Sequence, residues 1–139
     1  MLPNGIITRK LERLESRVAE LRSWPLGTVE EFAANRLVVS AVERALQVCV
    51  EIVIDVAERL LAVMEVTPAE TAAENLRKLE GLGVVAAAQT YVRMVQFRNL
   101  LVHRYDDVAP AILYGIAREH LGDFEEFSRE VKAYTGRRP

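Results

Sequence analysis

Hydrophobic residues recur every three to four positions along most of the chain, the spacing typical of amphipathic helices. Over residues 5–23 one apolar stripe alternates with Arg, Lys and Glu, which predicts a first helix. The sequence "WPLG" at residues 24–27 then breaks the pattern. The apolar positions of the first stripe are Ile7, Leu11, Leu14, Val18 and Leu21.

A longer helical pattern extends from Thr28 to about Met64. Thr28 and Glu31 have the spacing of a capping box, in which the two side chains satisfy free backbone amides of the first turn. The polar residues of this segment fall on one narrow stripe, and apolar residues cover most of the remaining surface. Such a helix needs neighbours on more than one side.

Cap signals also predict the next helix. Thr67-Pro68-Ala69-Glu70 has the pattern of a second capping box with proline at the first helical position. Gly81 and Gly83 are expected to end this helix, because glycine readily adopts the left-handed conformation that follows a helix.

The remaining sequence predicts two more helices. A largely apolar helical pattern covers residues 84 to about 103. Asp106-Asp107 is expected to cap a last helix that has Pro110 in its first turn and reaches about Tyr134. With no alternating strand pattern and no repeat, the chain is predicted to be all-α, a single domain over residues 1–139 built as an up-and-down bundle of about five helices.

Composition narrows the possible functions. A formal net charge of -2 argues against a protein that coats nucleic acid by bulk electrostatics, although Arg93, Arg98 and Arg104 leave a local basic site open. A single cysteine, Cys49, excludes a disulfide within one chain. There is no signal-peptide pattern and no apolar run of about 18 residues, so we expect a cytoplasmic protein without a membrane segment.

The segment "FRNLLVHRY", residues 97–105, places Arg98, His103 and Tyr105 in a very apolar stretch. At about 100° per residue, Arg98 and Tyr105 share a helix face, whereas Arg98 and His103 diverge by about 140°. A joint site therefore requires that the helix end or distort near His103, or that two chains pair so that their sites face one another.

These residue types permit a specific chemistry. Histidine exchanges protons near neutral pH, and arginine offers a planar donor fork that suits phosphate oxygens. Together His103 and Arg98 could cleave RNA without a metal. The imidazole would act as general acid or base, and the guanidinium would offset the charge that develops in the transition state. Asn99 could orient the phosphate or hold His103. Equally, an Arg and a His near a helix end could simply satisfy terminal carbonyls.

Arg98 to Tyr105 resembles the Arg-x4-His-x-Tyr motif of the HEPN superfamily, in the form carried by HepT-like toxins. The resemblance covers roughly residues 5–134. It includes the stretch "ERALQ" at 43–47 with "IDVAE" at 54–58, the turn at 79–84 and the "DFEEF" segment at 123–127.

The resemblance implies a HEPN-like fold and a homodimer whose motif helices meet at a cleft. It implies a metal-independent endoribonuclease that uses Arg98 and His103 as its catalytic residues and needs no cofactor. This enzyme is implied to be the toxin of a type II-style toxin–antitoxin pair, which counts as type VII because of the modification. The implied antitoxin is an MntA-like nucleotidyltransferase that transfers AMP from ATP to Tyr105. Asp55 matches an acidic family position and could orient Arg98 or His103, although it also lies on the polar stripe of its helix.

Two other hypotheses remain open: a non-catalytic helical partner of a nucleotidyltransferase, modified at the motif, and a plain dimeric scaffold. Four further residues are interpreted without a chemical role. His120 is expected at the surface, since no second ligand stands at metal spacing. Tyr91 and Met94 are expected to pack in the core, and Cys49 has no neighbouring His that would activate it as a nucleophile.

Overall fold

The computed structural model describes residues 5–103 and 109–136, and every regular element in these two ranges is an α-helix. The all-α prediction is confirmed. No helix in these ranges is long and apolar enough to cross a membrane. The helices are α1 (Gly5–Ser23), α2 (Val29–Ala34), α3 (Arg36–Val63), α4 (Ala72–Gly81), α5 (Ala88–His103), α6 (Pro110–Glu119) and α7 (Leu121–Gly136).

The segment predicted as one helix from Thr28 to Met64 is two helices, divided at Asn35. Asn35 is extended, with φ -103° and ψ 93°, and its amide donates to the carbonyl of Phe32 at 3.0 Å. Its side chain accepts the amide of Val38 at 3.2 Å. One asparagine thus ends α2 and caps α3, which hydrophobic periodicity does not reveal because Asn35 falls at a polar position of the pattern. The capping box at Thr28 is confirmed.

The predicted last helix is likewise two, α6 and α7, because the backbone departs from helical geometry at His120, with φ -121° and ψ 9°. Pro110 is in the first turn of α6 as predicted, but the N-cap is Ala109, which makes no side-chain cap bond. The predicted caps Asp106 and Asp107 lie outside the described residues. The up-and-down bundle is therefore built from more and shorter helices than the pattern indicated.

The predicted start of α4 is also wrong. Thr71 is the N-cap and accepts the amide of Glu74 at 3.2 Å, so the helix begins four residues after the Thr67 box. The preceding loop is held instead by the buried Asn75, whose Oδ1 accepts the amide of Ala69 at 2.7 Å. A loop tied to the helix by a side chain replaces the predicted first turn.

The end of α4 is as predicted. The helix ends at Gly81, and Gly83 follows in the left-handed region with φ 81°. The next helix, α5, begins at Ala88 rather than at residue 84. Val84 and Val85 lie in the connection and are buried, which explains why their apolar character extended the predicted helix.

Helix α3 occupies the centre of the bundle and packs against every other described helix. Its buried positions surround most of its circumference, which confirms the expectation of neighbours on several sides. These residues are Val42, Ala45, Leu46, Cys49, Val50, Ile52, Val53, Val56, Ala57, Leu60 and Leu61.

Ion pairs join α1 to α7 along one side of the bundle. The guanidinium of Arg22 donates to both carboxylate oxygens of Glu125, at 2.6 and 2.8 Å. Glu15 accepts from the hydroxyl of Ser128 at 2.5 Å and from the ammonium of Lys132 at 2.6 Å, and these bonds, Lys132 first, lower the pKa of the Glu15 carboxyl. The last helix is thereby held in register on the first.

Gly27 should not tolerate a side chain. Its φ is 71°, and an added Cβ would lie 2.8 Å from Oε1 of Glu31, the atom that accepts the Thr28 amide in the capping box. We expect Gly27→Ala to lower the free energy of unfolding by about 2 kcal/mol, because it combines left-handed strain with damage to the cap. Urea denaturation measures this.

Gly115→Ala is the matched control, because Gly115 lies inside α6 with nothing within 4 Å of an added Cβ. It should leave stability unchanged or raise it by up to about 1 kcal/mol. Equal midpoints for Gly27→Ala and the wild type would contradict the proposed strain.

Candidate functional site

The motif lies on α5, and carboxylates from two other helices hold the start of that helix. The amide of Ala88 donates to Oε1 of Glu80 in α4 at 2.6 Å. Glu130 of α7 accepts from the hydroxyl of Tyr91 at 2.5 Å and from the amide of Ala86 at 2.9 Å. Since α5 is one continuous helix, anchoring its first turns also fixes the direction in which its last turns extend.

Tyr91 is a packing residue with a polar tip. Its ring lies edge-on to Phe127, with centroids 5.1 Å apart. Burial, and secondarily the hydrogen bond to Glu130, raise the pKa of the Tyr91 hydroxyl, so it remains a protonated donor. Tyr91 and Met94 are both buried, which confirms the prediction that they belong to the core.

Arg98 shares the helical stripe by which α5 contacts the core. Tyr91 precedes it by seven residues, and Met94, Val95 and Leu101 of the same stripe are buried. Arg98 itself is half-buried, and its Nε is shielded from solvent yet makes no hydrogen bond within the described part of the chain. An unsatisfied buried donor costs about 1–3 kcal/mol, so this group needs an acceptor: a bound anion, the segment 104–108 or a second chain.

His103 is the last described residue of α5, and the helix is uninterrupted between Arg98 and His103. Their backbone positions are therefore about 140° apart in register, as the sequence indicated. No distortion between them brings the two onto one face. Asn99, next to Arg98, is exposed. Arg104 and Tyr105 lie outside the described residues.

Among the described residues, the carboxylate of Asp55 pairs with side chains of α1 and α3. Its Oδ2 lies 2.6 Å from Nζ of Lys10 in α1 and 3.0 Å from Nε of Arg59 one turn later in α3. These cations outweigh partial burial and lower the pKa of the Asp55 carboxyl. Asp55 thus joins α1 to α3, and its contacts give no support to a role in orienting Arg98.

A groove opens beside the motif between α5 and α6. Both helices pack on α3, but within the described ranges no Cα atom of α5 lies within 8 Å of a Cα atom of α6. The resulting space has a volume of about 370 Å³. We call it the α5–α6 groove; its lining includes Thr90, Arg93, Phe97, His120 and Asp123.

Sequence reasoning noted Arg93 and His120 separately and did not single out Thr90, Phe97 or Asp123. The groove residues that α5 contributes recur at positions 90, 93 and 97, so they form one helical stripe of a polar, a charged and an aromatic side chain. This helical spacing is the feature of the sequence from which the three residues could have been predicted to share a surface. Which α6 and α7 residues face this stripe depends on packing that no local pattern encodes.

Two other predicted roles can be placed. Cys49 is buried, and burial raises the pKa of its thiol to about 12, so it packs as an apolar group rather than reacting as a thiolate. His120 is at the surface as predicted, 3.6 Å from Asp123 through Nδ1. In the described residues no three His, Cys, Asp or Glu side chains are grouped closely enough to hold a metal ion.

Comparison with known proteins gives a consistent result. The model of the family described as "Ribonuclease HepT-like" matches residues 7–131. A relative from Shewanella oneidensis described as an mRNA nuclease HepT is 24% identical over 132 residues, which cover 94% of this chain and 98% of the relative.

Two solved structures share the fold. A tri-AMPylated Shewanella oneidensis HEPN toxin in complex with an MNT antitoxin superposes with a TM-score of 0.84 at 22% identity, covering 94% of this chain and 99% of the toxin. YutE, a cytosolic Bacillus subtilis protein of unknown function, superposes with a TM-score of 0.81 at 17% identity, covering 96% and 92% respectively. The predicted HEPN-like fold is confirmed.

Removing the tyrosine hydroxyl that anchors α5 should weaken the fold. Tyr91→Phe leaves the Glu130 carboxylate with one donor fewer, so we expect a loss of about 1–3 kcal/mol in the free energy of unfolding. Glu126→Gln, which removes only the exposed pair with Arg129, is the control and should cost at most about 0.5 kcal/mol. Urea denaturation that gives Tyr91→Phe the stability of the wild type would refute the anchoring role.

Proposed function

This chain belongs to the HepT-like ribonuclease family, and on that premise we propose that it is an endoribonuclease, the toxin of a toxin–antitoxin pair, with Arg98 and His103 as its catalytic residues. The observation that carries the proposal is Arg98 itself. It occupies a core-facing position, its Nε is shielded and has no hydrogen-bond partner within residues 5–103 and 109–136, and it belongs to the Arg-x4-His-x-Tyr motif. A phosphate oxygen is the acceptor that a guanidinium fork matches best.

The proposed reaction needs no metal. An imidazole of His103 takes the proton from the ribose 2'-hydroxyl, and the 2'-oxygen attacks the adjacent phosphorus. The bond to the 5'-oxygen breaks, that oxygen gains a proton, and the products are a 2',3'-cyclic phosphate and a 5'-hydroxyl end. The guanidinium of Arg98 offsets the charge that develops on the phosphoryl oxygens, and Asn99 is proposed to orient the phosphate or to hold His103.

A homodimer would supply the remaining proton. Because one helix separates Arg98 and His103 by about 140°, pairing of two chains is the arrangement that brings an arginine and a histidine to one phosphate from different directions. One imidazole then acts as base and the other, protonated, as acid. Exposed apolar residues are available for such pairing: Leu100 on α5 is 45% exposed, and Leu37 and Ile112, at the starts of α3 and α6, are 84% and 51% exposed.

We further propose that the partner is an MntA-like nucleotidyltransferase antitoxin that silences the toxin at Tyr105. The Tyr105 oxygen would attack the α-phosphate of ATP, forming a phosphodiester with AMP and releasing pyrophosphate. An anion two residues after His103 would compete with RNA for the charge of Arg98. Asp55 is not assigned a part, because Lys10 and Arg59 engage its carboxylate.

Substitution of the catalytic pair tests the activity. His103→Ala should lower the rate of RNA cleavage by about 10²–10⁴-fold, the usual contribution of a general acid or base, and should abolish growth arrest. Arg98→Lys should also be impaired, since an ammonium keeps the charge but not the fork. Cleavage of a labelled RNA in EDTA measures both.

Arg77→Ala is the control, because Arg77 lies exposed on α4, away from the motif helix end. Wild-type cleavage by the His103→Ala protein would refute the catalytic assignment. A folded wild-type protein that cuts no RNA would favour the alternative of a non-catalytic partner that is merely modified by the transferase.

The modification has its own test. Incubation with the cognate transferase and ATP should add the mass of one or more AMP groups and stop RNA cleavage, with peptide mass spectrometry locating the adduct at Tyr105. Tyr105→Phe should remain unmodified and active. A Tyr105→Phe protein that still gains AMP would refute the site.

A further inference from the structure

The α5–α6 groove has the size and floor of a small-ligand pocket. Its volume of about 370 Å³ lies at the lower end of the range of about 300–1,000 Å³ that is usual for such pockets. Leu46, Val50, Met94 and Phe124 supply an apolar floor. A volume of this size suits one small ring system rather than a peptide or an oligonucleotide.

Phe97 is the groove residue that lies next to the motif in sequence. Phe97 lines the groove, is only half-buried, and immediately precedes Arg98 in the same helical turn. A partly exposed aromatic ring beside a phosphate-binding arginine is a common platform on which unstacked RNA bases rest. Phe97 is thus the aromatic side chain that a base of an RNA strand could contact when a phosphate of the same strand binds Arg98.

Arg93 lies one turn before Phe97. Arg93 is exposed at the groove edge and makes no ion pair or hydrogen bond with any residue between 5 and 103 or between 109 and 136. Its donors are thus available to an acceptor entering the groove. Arg98, five residues later, lies about 140° around the helix from Arg93, so the two guanidinium groups face different directions and would serve different parts of a bound strand.

The opposite wall supplies an acceptor. Asp123 lines the groove from α7, with its carboxylate 3.6 Å from Nδ1 of His120 and 41% of the side chain exposed. Carboxylates accept hydrogen bonds from the amino groups of bases but repel phosphate. The groove therefore presents donors on one side, an acceptor on the other and apolar surface between them.

We propose that the α5–α6 groove is a base-binding subsite, which holds one nucleobase of the RNA strand next to the phosphate bound at Arg98. Phe97 and the apolar floor contact the ring, Arg93 donates to a ring acceptor and Asp123 accepts from an amino group. Adenine, cytosine and guanine carry such an amino group and uracil does not. This subsite rests on the proposed ribonuclease function and gives it sequence preference.

The test compares cleavage of single-stranded oligonucleotides that carry each of the four bases, in turn, at the two positions flanking the cut bond. The wild type should disfavour uracil at one of these positions by about tenfold in kcat/KM, the discrimination expected of one good base contact. Arg93→Ala and Asp123→Asn should each reduce that preference to about twofold or less and act mainly on KM. Arg77→Ala, an exposed arginine on α4, should preserve it.

A wild type without base preference at either position, or a preference that survives both groove variants, would overturn the subsite while leaving the ribonuclease assignment standing. Sedimentation of Thr90→Trp, which fills the groove, gives a further check. A sedimenting mass that differs from the wild-type assembly would mean that a second copy of the chain occupies the groove, and the subsite would be rejected.

If the wild type cuts no RNA, the ribonuclease assignment fails and the groove is tested by binding alone. The probe is a 2'-O-methyl trinucleotide, followed by NMR of the backbone amides. Shifts concentrated at Thr90, Arg93 and Phe97 would support base binding, and shifts elsewhere or none at all would exclude it.

Discussion

The architecture depends on the burial of α3. This helix is apolar around most of its circumference, so it can remain in water only if other helices cover it on several sides. Every other described helix packs against it, and the ion pairs between α1 and α7 add specificity at the rim of that arrangement rather than creating it. The placement of α5 and α6, and hence of the candidate site, follows from where α3 offers apolar surface.

Helix α5 serves the core and the candidate site at once. Its first turns are fixed by carboxylates from α4 and α7, and its buried stripe continues into Arg98. A guanidinium at a core-facing position is costly unless its donors find acceptors, and the proposed phosphate site would supply one for Arg98. A second stripe of the same helix, which carries polar, charged and aromatic side chains, faces the α5–α6 groove. One rigid helix would therefore fix the position of the proposed scissile phosphate relative to a neighbouring base.

The predicted boundaries failed at positions where a side chain or a connection overrides periodicity. Asn35 divides a pattern that is helical on both sides, because its side chain caps the second helix while its backbone leaves the first. His120 divides the last pattern through its non-helical backbone, and Thr71 rather than Thr67 starts α4. In each case the apolar spacing was correct on both sides, and the break depended on the conformation of one residue.

The sequence by itself determined the fold class, the need of α3 for neighbours on several sides, the capping box at Thr28, the burial of Tyr91 and Met94, and the register that separates Arg98 from His103. These follow from local periodicity and residue chemistry, which a single chain segment carries. Only the tertiary structure decided that Asp55 pairs with Lys10 and Arg59, that Nε of Arg98 is shielded, and that the described residues of α5 and α6 leave a groove between them. Those outcomes depend on which distant helices share the surface of α3, and packing of that kind is a property of the whole chain rather than of any segment.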